Sequence, residues 1–157
     1  QIITSGEGLC SVMVFAISSD LQVVLVKQYR QGMDTETIEC PAGLMLGEQT
    51  TYEELALSEV LEETGYGEPD KTVQLTGPLY TSTGKADTYF VPFLMLGLQK
   101  VSDQNLDSTE DIEVVTMSMS EWLRMIKGGA AIGACSIATT MLALLELKGD
   151  GIIELFE

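Results

Sequence analysis

The sequence predicts a single-domain α/β fold in which a mixed β-sheet is packed between helices. Its 157 residues suit one domain with its own core. Hydrophobic residues make up 45% and charged residues 20% of the chain, as in ordinary globular proteins. Apolar runs of strand length alternate with two or three segments of helical period. No repeat, low-complexity tract or linker divides the chain, so residues 1–157 are taken as one domain.

The N-terminal part predicts three strands and a loop. Residues 10–17 form a near-continuous apolar run, which is typical of a strand buried on both faces. A turn signal at 18–20 joins it to a second, valine-rich strand at 21–28. A short strand at 36–40 ends at a proline, and residues 41–47 are predicted to form a loop.

The rest of the chain alternates helices with strands. Thr50 or Thr51 can cap a helix that runs to about Thr64, and Gly65 suits the position after its end. A polar loop is predicted at 102–109. Further strands are predicted at 71–80, 88–98 and 112–117, a short helix capped by Ser118 or Ser120 at 121–127, and a last helix at 136–147.

Charge and composition exclude several kinds of site. The net charge of −16 disfavours direct nucleic-acid binding, which usually needs a broad positive surface. The chain contains no histidine, which excludes Ser-His-Asp and Cys-His catalysis and imidazole metal sites. Metal chemistry must therefore use carboxylates, which favour hard cations such as Mg²⁺ or Mn²⁺.

The cysteines and the apolar runs indicate the surroundings of the chain. Cys10, Cys40 and Cys135 are far apart in the sequence and odd in number, as expected for free thiols in a reducing compartment such as the cytoplasm. No apolar run reaches the roughly 20 residues that span a bilayer. The chain begins at Gln1 without a signal-peptide pattern, which leaves room for residues upstream.

The helix predicted around Leu55–Tyr66 concentrates negative charge on one side. At about 100° per residue, three glutamates fall within an arc of about 100°. The acidic residues are Glu59, Glu62 and Glu63, and the opposite, apolar face is predicted to consist of Ala56, Leu57, Val60 and Leu61. Helical geometry leaves two interpretations open, a solvated acidic surface or a site for a divalent cation.

The spacing of residues in this segment resembles the box of the Nudix hydrolase family, G-x5-E-x7-R-E-U-x-E-E-x-G-U, in which U is apolar. The half E-U-x-E-E-x-G-U is matched by Glu59 to Tyr66. It is preceded by Pro41-Ala42-Gly43-Leu44 and Gly47-Glu48. The resemblance runs from about Gly8 to Leu147. The segments 25–30, 39–43, 80–84 and 110–115 are similar to the branch that hydrolyses ADP-ribose and nucleotide sugars.

The chain departs from the box at two places. Ser58 stands where the pattern has arginine. Counting back from Gly65, the first glycine position falls on Leu44 and the first glutamate position on Thr50, so Glu48 can serve only if the loop shifts. These departures keep an alternative open, a weakened Nudix domain that acts as a nucleotide-binding or protein-interaction module. A third alternative, action on RNA 5′ ends, is disfavoured by the acidity.

The resemblance implies a Nudix-like α/β/α sandwich with a central mixed β-sheet. It implies Mg²⁺- or Mn²⁺-dependent hydrolysis of the diphosphate bond of ADP-ribose or a nucleotide sugar, giving a nucleoside monophosphate and a sugar phosphate. It also implies a homodimer, in which residues 152–156 could add a strand at the interface.

The resemblance further implies a set of site residues. The metal ligands would be the carbonyl of Ala42 with Glu59, Glu62 and Glu63. Catalysis would use Glu62 and Glu63, with Glu110 or Asp111 as general base and Glu113 as a weaker candidate. Substrate contacts would come from Arg30, Glu39 and Gly84, although Arg30 could equally be a surface charge and Gly84 only part of a turn.

Overall fold

The protein is described by a computed structural model over residues 9–45 and 50–150. In these two ranges, four strands come first, followed by one helix, five further strands and two helices. They are β1 Cys10–Ser18, β2 Gln22–Arg30, β3 Thr35–Glu39, β4 Ala42–Leu44, α1 Tyr52–Thr64, β5 Tyr66–Gly67, β6 Lys71–Gln74, β7 Leu79–Tyr80, β8 Tyr89–Lys100, β9 Ile112–Ser118, α2 Met119–Lys127 and α3 Ala134–Gly149.

The strands form a mixed sheet with β1 near its centre. β1 runs parallel to β8 and antiparallel to β2, and the sheet continues from β2 to the edge strand β3. β4 pairs antiparallel with β1, and β9 pairs antiparallel with β2. Because β1 has neighbours along both edges and helices over both faces, its apolar run is nearly all buried.

Two cores lie on the two faces of this sheet. Val12, Val14 and Ala16 of β1 pack with α1, whereas the alternate residues of the strand pack with α2 and α3. Trp122 is fully buried in the second core, and its indole N–H donates to Thr140 Oγ1 at 3.0 Å. The predicted α/β/α sandwich with a central mixed sheet is confirmed.

The structure differs from the sequence prediction at several elements and boundaries. Residues 42–44 form β4 and not a loop, because their backbone pairs with β1. The predicted strand at 71–80 is two short strands, since Thr76-Gly77-Pro78 interrupts the pairing with β8. α3 begins at Ala134, two residues before the predicted start.

The residues that cap α1 and α2 agree more closely with the sequence prediction. Thr51, and not Thr50, caps α1, and its hydroxyl accepts from the Glu54 N–H in a capping box. Gly65 ends α1 with φ 70°, and a Cβ there would lie 2.1 Å from the Ser102 carbonyl oxygen. Ser118 caps α2 by accepting from the Glu121 N–H. Within the described ranges, no helix is long and apolar enough to cross a membrane.

The apolar face predicted for α1 was partly wrong. Leu61 is 38% exposed, whereas Leu55 and Glu63 are buried. The buried arc is rotated by roughly 70° towards the glutamates relative to the prediction. The physical reason is that β4 packs beside α1 on the glutamate side, so tertiary contact and not side-chain polarity decides which face is covered.

Candidate active site

A cavity of about 610 Å³ opens where α1, β4, the ends of β2 and β3, and the start of α3 meet. Its lining is strongly acidic, and Arg30 is the one cation among the described residues that form it. The carboxylates of the lining are Glu39, Glu59, Glu62, Glu63, Asp107 and Glu110. Ser11, Met13, Gln28, Ala42, Gly43, Leu44 and the first turn of α3 complete the wall.

The structure brings together most of the residues singled out from the sequence, which are separated by up to 80 positions in the chain. Two of them lie elsewhere. Asp111 precedes β9 and is exposed outside the lining, and Gly84 belongs to an exposed turn closed by the Lys85 N–H donating to the Ser82 carbonyl. The residues that share the cavity are Arg30, Glu39, Ala42, Glu59, Glu62, Glu63 and Glu110.

Asp107 was not singled out from the sequence, although it lines the cavity. The Asp107 N–H donates to Glu110 Oε2 at 3.0 Å, and the Glu110 N–H donates to the Asp107 carbonyl at 2.9 Å. This tight turn places both carboxylates on one side. The sequence does show Asp107, Glu110 and Asp111 close together. A polar loop has no regular repeat, however, so the sequence alone does not show which of these side chains lie on the same side.

The first turn of α3 was also missed as part of the site. Ala134, Cys135 and Ser136 line the cavity, and the N-cap residue Gly133 makes no side-chain cap. Ser136 is buried, and its hydroxyl accepts from the Cys40 N–H at 3.0 Å, which ties α3 to the end of β3. The sequence placed the helix start at Ser136, so these contacts could not be assigned.

Arg30 and Glu39 form a bidentate pair at the rim of the sheet. Arg30 Nε donates to Glu39 Oε1 at 2.9 Å and Nη2 donates to Oε2 at 2.5 Å. Burial by itself would raise the pKa of Glu39, but the hydrogen bonds from Arg30 and Thr37 hold that pKa below its ordinary value. Arg30 is therefore a fixed cation of the cavity and not a free surface charge.

Glu63 is the most deeply buried carboxylate that α1 turns towards the cavity. It is 5% exposed, and its Oε2 accepts from the Ala42 N–H at 3.1 Å. Burial, with repulsion from Glu59 and Glu110, raises the pKa of Glu63 to about 8 against the opposing effects of Ala42 and Arg30. Among the residues that the structure describes, no lysine or arginine forms an ion pair with this carboxylate.

Glu59 lies directly against the backbone of β4. Burial, followed by repulsion from Glu62, Glu110 and Asp107, raises the pKa of Glu59 to about 7. A Cβ added to Gly43 would lie 1.9 Å from Glu59 Cδ, so the residue at this position must be glycine for the side chain to lie where it does.

The contact between Gly43 and Glu59 also locates the irregularity of the box. Gly43 lies against Glu59 of α1, whereas Leu44 is 54% exposed. With Gly43 taken as the first glycine of the box, the extra residue falls between Gly43 and Glu59. Glu48 lies outside the described residues. Ser58 donates to the Leu55 carbonyl at 3.0 Å, a bond within α1 in place of a long cationic side chain.

The donor set suits a hard divalent cation in its chemistry. Every candidate ligand offers oxygen, and the raised pKa values of Glu59 and Glu63 show that burial and mutual repulsion disfavour their charged forms until a cation is present. In residues 9–45 and 50–150, no three acidic or cysteine side chains are already spaced as a closed ligand set. Small side-chain rotations of Glu59, Glu62, Glu63 or Glu110 would therefore accompany binding.

Sequence similarity to known proteins extends over most of this chain. The model of the NUDIX domain family matches residues 10–132. The chain is 34% identical over 119 residues to the ADP-ribose pyrophosphatase of Bacillus subtilis (strain 168), covering 74% of this chain and 62% of that protein. It is equally identical, with the same coverage, to the methanol dehydrogenase activator of Bacillus methanolicus. The chain thus spans under two thirds of the length of these relatives.

Two solved structures share the fold. A crystal structure of an ADP compounds hydrolase superposes with a TM-score of 0.80 at 20% identity, covering 93% of this chain and 76% of that chain. A NUDIX hydrolase from Nitrosomonas europaea gives 0.68 at 18% identity, covering 89% and 90%. With the acidic α1 motif, the family match and the Bacillus relatives taken together, the chain belongs to the Nudix hydrolase family.

Proposed function

We propose that this domain hydrolyses the diphosphate bond of ADP-ribose or a nucleotide sugar, with Mg²⁺ or Mn²⁺ as cofactor, to a nucleoside monophosphate and a sugar phosphate. The observation that carries the proposal is one cavity lined by three glutamates of α1 and by Glu110, which also contains Arg30. A volume of about 610 Å³ is in the range of small-molecule sites. The similarity to an ADP-ribose pyrophosphatase supports the substrate class.

The acidity of the cavity explains why a cofactor belongs to the proposal. A diphosphate cannot approach several carboxylates without a cation between them, because like charges repel strongly where water is excluded. Glu59, Glu62, Glu63 and the Ala42 carbonyl would hold it. When bound, such a cation neutralises the phosphate charge, polarises phosphorus and lowers the pKa of a bound water.

The remaining residues receive roles from their positions. Arg30 would donate to a phosphate or ribose oxygen with the N–H groups that Glu39 does not use. Glu110 faces the cavity and is our candidate for the base that accepts the proton of the attacking water. Asp111 is the second choice because it lies outside the lining. Glu113 forms an exposed ion pair with Lys27 at 3.6 Å and is not favoured.

The proposal includes a homodimer acting on a small molecule, as the family resemblance implies, in the reducing cytoplasm that the free cysteines indicate. The net charge of −16 supports a small substrate over nucleic acid. Light scattering after size exclusion measures the oligomeric state directly, and a monomer at all concentrations would remove this part of the proposal. Gly84 stays a predicted substrate contact whose turn lies outside the cavity lining.

A substrate panel tests the activity. The protein is incubated with ADP-ribose, a UDP-sugar and ADP-glucose in the presence of Mg²⁺, and nucleoside monophosphate is measured. We expect product from at least one of them. Intact binding of the nucleotides without any product would favour the alternative, a weakened Nudix domain that binds a nucleotide or a partner protein.

Glu62→Gln tests whether α1 provides the catalytic site. The change removes a charge but keeps the size of the side chain, so we expect turnover to fall by a factor of about 100 or more while the fold is retained. Glu53→Gln on the first turn of the same helix is the matched control, since Glu53 is exposed outside the cavity. Unchanged turnover in Glu62→Gln would show that the chemistry lies elsewhere.

A further inference from the structure

Polar side chains form a column on one face of β2 and β3, at the edge of the sheet. Thr37 and Glu39 are two residues apart on β3 and therefore share a face. In the β2–β3 pairing, Thr37 stands opposite Gln28 and Thr35 opposite Arg30. Gln28, Arg30 and Glu39 line the cavity, whereas Thr37 does not.

Thr37 and Glu39 are buried to a degree that is unusual for polar residues on an edge strand. Thr37 is 3% exposed and Glu39 is 8% exposed. Thr37 Oγ1 donates to Glu39 Oε1 at 2.5 Å, and a second acceptor, the Gln28 carbonyl, lies farther away at 3.4 Å. Since a hydroxyl has one proton, the shorter contact identifies Glu39 as its acceptor.

The Glu39 carboxylate is thus held from two sides. Its Oε1 receives both the Thr37 hydroxyl and Arg30 Nε, and its Oε2 receives Arg30 Nη2. This arrangement uses one edge of the guanidinium and leaves Nη1 outside the pair. The orientation of the guanidinium therefore depends on the orientation of Glu39, which in turn depends on Thr37.

Arg30 has strong competing partners. The cavity contains five further carboxylates, those of Glu59, Glu62, Glu63, Asp107 and Glu110. A long arginine side chain that is 44% exposed could turn towards them if Glu39 were free to rotate. A guanidinium that is paired with the glutamates proposed as metal ligands could not donate a hydrogen bond to the substrate.

We infer that Thr37 is a positioning residue for substrate binding, because its hydroxyl fixes Glu39 and thereby keeps the guanidinium of Arg30 available to an anionic group in the cavity. This role deepens the proposed function and rests on it for its consequence, although the positioning itself is a property of the free protein. Thr37 touches neither the cavity nor the reacting atoms.

The sequence supplies a direct test of the positioning, because Arg30 and Arg124 are its only two arginines. Each gives one Nε–H signal in a proton–nitrogen correlation spectrum, and Arg124→Lys assigns them. We compare Thr37→Val, which keeps the shape but removes the hydroxyl, with Thr37→Ser, which keeps the hydroxyl. Thermal unfolding shows that each variant is folded.

The expected result is specific to one signal. In Thr37→Val the solvent exchange of the Arg30 Nε–H rises by about tenfold, which corresponds to the loss of about one charge-assisted hydrogen bond. The Arg124 signal is unchanged, and Thr37→Ser restores the Arg30 signal. An Arg30 signal in Thr37→Val that matches the unsubstituted protein would overturn the inference, even if the variant were less stable.

Kinetics separate this inference from the proposed function. On whichever substrate the protein hydrolyses, Thr37→Val should raise KM by about fivefold and leave kcat within about twofold, because the lost interaction contributes to binding. Thr37→Ser should stay near the original KM. Unchanged KM in Thr37→Val would overturn the inference, whereas a protein that hydrolyses no substrate would fail the proposed function while the Arg30 spectrum still decides the positioning.

Discussion

At the scale of single residues, burial of Glu63 lowers the stability of the fold at a position that lines the candidate site. Its carboxylate is buried and accepts one backbone N–H. Arg30, the cation that lowers its pKa, is already paired with Glu39. Burial of a charge without a partner is costly, so the metal-free protein holds this group at a disadvantage. Such a position is typical of a functional site and not of a scaffold.

The stability of the metal-free protein should therefore fall as pH rises. The folded pKa of Glu63 is about 8, above the ordinary value of 4.5, so its stabilising proton is fully present below pH 4.5 and is lost as pH passes through about 8. Melting temperatures in EDTA from about pH 5 to pH 9 measure the decline.

Glu63→Gln should flatten this pH dependence and stabilise the metal-free protein at the alkaline end. The amide oxygen can still accept from the Ala42 N–H while the buried charge is gone. The exposed residue Glu53, changed to Gln, is the control and should keep the original slope. Glu59, whose pKa is raised to about 7, should keep a smaller slope of the same sign. A slope in Glu63→Gln as steep as the original would mean that Glu63 does not cause it.

At the scale of elements, the close approach of β4 to α1 determines where the acidic residues lie. Without a side chain at Gly43, the strand lies against Glu59 and covers part of the glutamate face. The helix, its two caps and the strands β1, β2 and β9 could be predicted from sequence, because periodicity and capping residues are local signals. β4 could not, since its pairing with β1 joins residues about 30 positions apart.

Gly43→Ala should damage activity far more than stability. The new Cβ would collide with the end of the Glu59 side chain, which can swing aside at a cost of about 1 kcal/mol. We expect turnover to fall by about tenfold or more, because Glu59 no longer faces the cavity in the same way.

Gly77→Ala is the control for that substitution, since nothing lies within 4 Å of a Cβ there. It should leave both turnover and melting temperature unchanged. Equal losses of turnover in the two variants would contradict a specific role for the Gly43–Glu59 contact.

At the scale of the whole molecule, the site is a meeting point of segments that are distant in the chain. The family motif singled out Glu59, Glu62 and Glu63, and the wider resemblance added Arg30 and Glu110; all five line one cavity. A family resemblance carries three-dimensional information that composition lacks. It did not identify Asp107, Thr37 or the first turn of α3. Their roles come from tertiary contacts across the edge of the sheet, which no local period encodes.

The acidity of the molecule predicts a specific response to divalent cations. Mg²⁺ binding to the native state should stabilise it by about 2.7 kcal/mol at a concentration 100 times the dissociation constant. The rise in melting temperature should be largely lost in a Glu59→Gln/Glu63→Gln double variant. Potassium chloride at matched ionic strength is the control for screening of the net charge of −16. An equal rise with potassium would argue against a defined cation site.

The buried Trp122 gives the protein a built-in optical reporter. It is the single tryptophan of the chain, and it lies in the core layer across the sheet from α1. Its emission should be blue-shifted in the folded state and shift to the red only when the α2–α3 layer opens. Trp122 fluorescence therefore reports whether the protein is folded, whereas the amount of product formed reports whether the cavity glutamates still act. Measured on the same sample, the two signals separate the variants that lose activity from the variants that lose the fold.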